Sequence, residues 1–214
     1  HRGFTPAGSK EGVLPELSVS AEFGLEHAQH PLQIVAFHSA YDRLLGSDAA
    51  SAGGSGDGEL YNGGSAQISG LEGQFSHHFL RHQITFSGTW TRAVFTESFS
   101  SEFKGWGDVE KGDVLPYLPQ GQASIRYDVQ LKPINFSLQS QLLGARKSSA
   151  TLEHWDLPLA FVMNAAARIP LRPSTTLKLS VQNLTNTRHV LAARPAGYRT
   201  FAPRMLLLTL QVKF

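Results

Sequence analysis

The sequence contains no cysteine, which excludes a disulfide scaffold and any thiolate metal centre. It is also short of charge: Asp, Glu, Lys and Arg make up 17% of its 214 residues, below the roughly 25% of ordinary soluble domains. Nineteen basic residues against 17 acidic ones leave a formal net charge of +2, too little and too scattered for a nucleic-acid-binding arm. No apolar run approaches the roughly 18 residues that a membrane-spanning helix needs, so no transmembrane helix is expected. Helical periodicity is scarce throughout. Neither a GxSxG nucleophile elbow nor a GxxxxGK phosphate loop occurs, and no enzyme activity is expected. There is no initiator Met and no charged-then-apolar leader, as expected of a mature segment or a piece of something longer.

What the chain has in abundance is alternation of period two, the mark of a strand with one apolar and one polar face. Between Ser18 and Glu26 the apolar row is Val19, Ala21, Phe23 and Leu25. The pattern returns over Ala123 to Leu131, Ile134 to Leu143, Leu159 to Ile169, Thr176 to Gln182 and Met205 to Phe214. Leu32 to Tyr41, Ala66 to His77 with a bulge expected near Gly70, and Gln83 to Thr96 follow it less cleanly. These predict nine strands. Their connections alternate in length: Ala28–Pro31, His78–His82, Lys132–Pro133 and Pro170–Ser174 read as tight turns. Between them lie long connections, Asp42–Asn62, Glu97–Pro119, Gly144–Pro158 and Leu184–Pro203. Strict alternation of short and long puts every long loop on one side of an up-and-down antiparallel sheet, as in an outer-membrane barrel.

Charge says which solvent each face meets. In the six cleanest strands the apolar rows hold no Asp, Glu, Lys or Arg, while the opposing rows hold seven, among them Glu22, Arg126, Asp128, Arg168 and Lys178. A charge facing lipid near the bilayer midplane costs about 2–4 kcal/mol, and an unpaired charge in a sandwich core costs more. Lipid on one side and a wet lumen on the other fit both rows. A soluble sheet with one solvated face would use the same alternation. Trp90, Trp106, Tyr117, Tyr127, Trp155 and Tyr198 fall near strand ends or in loops, where an interfacial girdle places aromatic rings.

Several motifs carry a family resemblance. The tail from Ala202, APRMLLLTLQVKF, alternates strictly and stops on Phe214. It resembles the last strand of bacterial outer-membrane proteins, whose terminal Phe is the signal read by the barrel-assembly machinery. VQNLTNTRHV, Val181 to Val190, resembles the penultimate strand of TonB-dependent receptors at Asn183 and Leu184, with Thr185, Asn186 and His189 in place of the usual Phe, Asp and Tyr. Arg204 matches the basic residue before the family's last strand, and Thr209 replaces its common Gly. PELSVSAEFG (Pro15 to Gly24), YNGGSAQISGLEGQF (Tyr61 to Phe75) and DVLPYLPQGQASIRY (Asp113 to Tyr127) are similar to further family stretches, in family order. HRGFTPAG, His1 to Gly8, looks like a strand end of the ferric-citrate branch.

The resemblance implies that residues 1–214 are the C-terminal portion of a TonB-dependent receptor, about nine strands of a 22-strand transmembrane β-barrel. The N-terminal plug and the other strands would lie elsewhere. It implies outer-membrane lipid, the TonB complex acting through the plug, and the barrel-assembly machinery as partners. The transported ligand would be a ferric chelate of siderophore or ferric-citrate type, with no resident cofactor. Cobalamin and oligosaccharide receptors share these motifs, and a porin or a soluble sugar-binding sheet or hydrolase are the alternatives outside the family. An anionic chelate needs cationic loop groups, for which Lys104, Arg194 and Arg199 are the candidates. The histidines at predicted turns, His27 with His30 and His77 with His78 and His82, read as solvated turn residues rather than metal ligands. Gly53 to Gly58 reads as a loop tip, and His154 and Asp156 as loop residues with no nucleophile beside them.

Overall fold

The computed structural model describes residues 13–27, 31–47, 60–102, 106–193 and 197–213, and no helix occurs among them. In chain order the strands are β1 (Leu17–His27), β2 (Leu32–Asp42), β3 (Leu45–Ser47), β4 (Leu60–Asn62), β5 (Ala66–Phe79), β6 (His82–Phe95), β7 (Phe99–Ser100), β8 (Asp108–Val109), β9 (Gly121–Leu131), β10 (Ile134–Leu143), β11 (Ala160–Arg172), β12 (Thr175–Gln182), β13 (Val190–Ala192), β14 (Arg199–Thr200) and β15 (Met205–Val212). Nine of them form one sheet in the order β1-β2-β5-β6-β9-β10-β11-β12-β15, with antiparallel pairing throughout. These are the nine strands that alternation predicts. The other six make three two-stranded ribbons, β3-β4, β7-β8 and β13-β14, each inside one of the long connections. Sequence neighbours are sheet neighbours, so the sheet is a meander with all long connections at one end. Its edges are β1 and β15.

Two expectations about local geometry are corrected. No bulge occurs at Gly70, because the ladders on both sides run through it without a register shift. A Cβ there would lie 2.2 Å from the Trp90 carbonyl oxygen and 2.5 Å from the Phe37 ring; the glycine admits that ring onto the sheet instead of bending the strand. The irregularity falls between Pro170 and Arg172, where proline cannot donate to the ladder. His77, His78 and His82 are not turn residues either. β5 and β6 continue through them, and the turn shrinks to Leu80 and Arg81, with Leu80 at φ 54°.

The registers assign one face to each row. Val19, Phe23, Leu25, Leu71, Phe86, Ile125, Leu206, Leu208 and Leu210 share the outer face, and all are exposed large apolar side chains. Charge on the outer face is confined to strand ends: Asp42 and Arg92 at the loop end and Arg172 at the turn end. Near the turn end five outward rings form a stacked ladder, with centroid spacings of 6.3 Å from Phe75 to His77, 5.9 Å on to Phe79, 4.9 Å on to His82 and 5.8 Å on to Tyr127. His82 Nδ1 and the Tyr127 hydroxyl share a 2.6 Å hydrogen bond, which pairs one polar atom of each of these two rings.

Candidate functional site

Burial concentrates at the loop end of the inner face. Ala66, Ala93 and Phe95 from the sheet meet Trp106, Val109, Leu115 and Ala150 from the connections, with Tyr41, Leu44, Ile68 and Phe99 packed around them. Phe95, Phe99 and Trp106 are mutually edge-on, with centroids 5.3, 5.9 and 5.8 Å apart, the arrangement that ring quadrupoles favour. Trp106 is therefore no girdle residue, being 4% exposed. A Cβ on Gly63 would lie 2.5 Å from its ring, so a glycine is required for the two connections to close. These loops form an apolar cap over one end of a polar wall.

The family-like motifs supply ties within this end. Glu16 Oε2 accepts from the Leu45 backbone N–H at 2.9 Å. Asn62 accepts from Leu14 N–H at 2.7 Å and donates to the Leu14 carbonyl at 2.9 Å. Asn183 is 3% exposed and has φ 50°, a left-handed turn that Asn tolerates. Its Nδ2 donates to the Thr187 and Ala202 carbonyls at 2.9 and 2.8 Å, and its Oδ1 accepts from Thr187 N–H at 3.1 Å. Asn164 of β11 accepts from Asn183 N–H at 3.0 Å. One side chain thus joins the last two connected strands and the loop between them, and it acts on architecture rather than on a ligand.

Below the cap the inner face is polar. Gln33, Glu72, Gln74, Ser87, Gln122, Ser124 and Gln141 line a recess of about 470 Å³, over which Phe201 of the last long connection folds. Further toward the turn end, Arg126 donates to Asp128 through Nε at 2.7 Å and Nη2 at 2.9 Å, while Ser137 Oγ donates to the same carboxylate. Arg168 pairs in register with Lys178 on the neighbouring strand, and both line a recess with Arg126, Asn135, Gln139 and Asn164. Like charges directly opposite each other are unfavourable in a sheet, and Asp128 is the only acid lining that recess. The β9–β12 wall is thus cationic, whereas Glu22, Glu26 and Glu72 face inward from β1 and β5. Such a surface can hold an anionic ligand through charge and amide hydrogen bonds.

Arg199 lies in β14 at the loop end and is exposed. Lys104, Arg194 and Phe214 lie outside the described residues, as do His30, Gly53–Gly58 and the stretch from His1 to Gly8. Among the described residues, no group of three or more His, Cys, Asp or Glu could hold a metal ion. One cation escaped sequence reasoning. Arg146 is 2% exposed, and its Nη2 donates to the Val190 carbonyl at 3.2 Å, while Nε and Nη1 have no partner. Burial pushes the guanidinium below its ordinary pKa. No alternation surrounds Arg146 in sequence, so only tertiary contacts reveal its burial.

An antiparallel meander with a lipid-compatible outer face, a wet inner face and capped loops at one end defines a wall of an outer-membrane β-barrel. The family model for TonB dependent receptor-like β-barrels matches residues 3–184, and the chain belongs to that family. Its members are outer-membrane receptors and transporters, not enzymes. No curated protein matches the chain by sequence. Among solved structures it is similar to the ferric yersiniabactin uptake receptor FyuA from Yersinia pestis, with TM-score 0.74 and 16% identity over 94% of this chain and 30% of that one. It is also similar to the ferric citrate transporter FecA, with TM-score 0.70 and 16% identity over 94% of this chain and 32% of that one. The copper transporter OprC matches with TM-score 0.71 and 13% identity over 95% of this chain and 31% of that one. At these identities the likeness is one of fold. The chain spans about a third of the length of these relatives.

Proposed function

We propose that this chain supplies part of the lumen wall and external loops of a receptor that takes up an anionic ferric chelate, of siderophore or ferric-citrate type. The observation that carries the reading is the cationic, amide-rich inner wall of β9–β12, where Arg126, Arg168 and Lys178 line one recess. A carboxylate- or phenolate-bearing chelate entering from the loop end would meet Arg199, and Lys104 and Arg194 belong in sequence to the long connections of that end. Arg offers a rigid fork for carboxylates, and the wall below would accept the ligand's charge on its way inward. Ferric yersiniabactin and ferric citrate are the ligands named for two of the similar structures. Transport would require a plug and the TonB complex, and insertion would require the assembly machinery acting on the C-terminal strand and Phe214.

The test uses the full-length receptor that carries this chain. Cells depending on it are grown on single iron sources, and binding of each ferric chelate is measured for the wild type and for Arg194→Ala with Arg199→Ala. The proposal expects growth on at least one anionic chelate and weaker binding of that chelate by the double variant. Growth on none of them rejects the ligand class, and unchanged affinity removes the two arginines from the site.

A further inference from the structure

Near the loop end β6 carries outward polar residues and a recess that the transport reading does not use. Across three neighbouring strands, His38, Ser69 and Arg92 stand in one outward row, and His38 Nδ1 shares a 2.7 Å hydrogen bond with Ser69 Oγ. Toward the turn end the next outward residues are Ala36, Leu71 and Trp90, so polarity begins abruptly at this row. Arg92 stands ten residues from His82 along β6. That is about 34 Å along a strand, or about 26 Å along the membrane normal at a tilt of about 40°. The apolar band of an outer-membrane barrel is about 25 Å tall. With the ladder at Phe79 and His82 on one boundary, Arg92 stands at headgroup level on the other.

A cleft of about 230 Å³ opens at that level, lined by Trp90, Arg92, Val114, Leu118, Pro119 and Trp155 among others. Trp90, Arg92 and Val94 are the outward residues of β6 in its lining. Val94, outward on β6, bridges to Val114, which keeps Val114 outward, while Leu115 turns inward to the loop core. Trp90 and Trp155 are 55% and 37% exposed, although indoles fully exposed to water would be unfavourable. Lys147 Nζ stands 6.0 Å from the Trp155 ring centroid. Arg92 itself is exposed and makes no ion pair with a described residue.

We propose that this cleft binds a phosphate-bearing lipid of the surrounding leaflet, with Arg92 receiving the phosphate and Trp90 and Trp155 flanking the start of an acyl chain. Indoles at the interface supply an apolar body with a polar edge, and a neighbouring cation draws anionic headgroups. The site is independent of the identity of the transported ligand.

The full-length receptor in mild detergent is examined by native mass spectrometry with dilauroyl phosphatidic acid, with dilauroyl phosphatidylcholine, and with inorganic phosphate as competitor. The expected result is retention of phosphatidic acid over phosphatidylcholine. Arg92→Ala should reduce that preference by about fivefold, the weight of one cation at a lipid surface, and Arg92→Lys should retain most of it. Trp90→Ala should weaken retention of both lipids. Heat-modifiable migration on gels confirms that each variant is folded, and Arg92→Gln replaces any that is not. Equal lipid preference in wild type and Arg92→Ala overturns the proposal, as does full displacement by inorganic phosphate, which would mark an ion site rather than a lipid site.

Discussion

The two faces of the sheet are made by the same strands, yet they obey opposite solvents. On β9, Ser124 faces the lumen, where its hydroxyl shares a 2.8 Å hydrogen bond with Ser87, while Ile125 beside it is 51% exposed on the outer face. A soluble sheet would bury the isoleucine and wet the serine; here lipid replaces the core. The outer face needs uniform apolarity and tolerates little else, because no water reaches its polar atoms. The inner face tolerates charge, even Arg168 opposite Lys178, because lumen water screens it. Only beneath the loop cap does the inner face become dry, at Phe95 and Trp106. The lesson is that polarity follows depth and side together, not strand identity.

The largest expected effect tests the dry part of the inner face. Phe95 is 1% exposed, and Phe95→Ala should cost about 3–5 kcal/mol of local stability as a large-to-small core change. Faster protease cleavage of the external connections would report it; a cap as resistant as wild type would show that the ring trio does not hold the loops. Next comes the paired exchange on β9. Ile125→Arg should cost about 2–4 kcal/mol as a charge facing lipid, read by urea unfolding in lipid vesicles, whereas Ser124→Arg one residue away should be nearly neutral. Equal costs would dissolve the distinction between faces. Asn183→Ala should cost about 1–3 kcal/mol, because it strands buried backbone groups, and the same unfolding assay checks it. The smallest effect belongs to Arg126→Ala. Its ion pair with Asp128 has side chains 52% and 27% exposed, so a loss under about 1 kcal/mol is expected; a larger one would mean the lumen is drier there than the wall implies.

Much of the fold was legible from periodicity. Alternation fixes which residues face together, and a slip of one residue would turn an entire row to the wrong solvent, so the nine long strands stand where their patterns lie. The short ribbons β3-β4, β7-β8 and β13-β14 were not legible, since two or three residues carry no period. Gly70 misled because an isolated glycine in a strand signals either a bulge or a close approach, and only the position of the Phe37 ring chooses between them. The histidines at 77, 78 and 82 misled because polar residues near a turn look alike whether they close it or continue the strands. Of the candidate site, Arg126, Arg168 and Lys178 were visible as inward charges. That Arg168 and Lys178 oppose each other depends on register, and the burial of Arg146 depends on loops with no pattern at all.

By itself the sequence determined the nine long strands, the face of the residues along them and the family, because side-chain alternation is a local consequence of the pleat and lipid permits almost no exceptions to it. Tertiary structure alone decided how the external connections pack over the inner wall, which cations share a recess on it, and that Trp90, Arg92 and Trp155 line one cleft. Those outcomes rest on contacts between residues far apart in the chain, whose pairing no local period encodes.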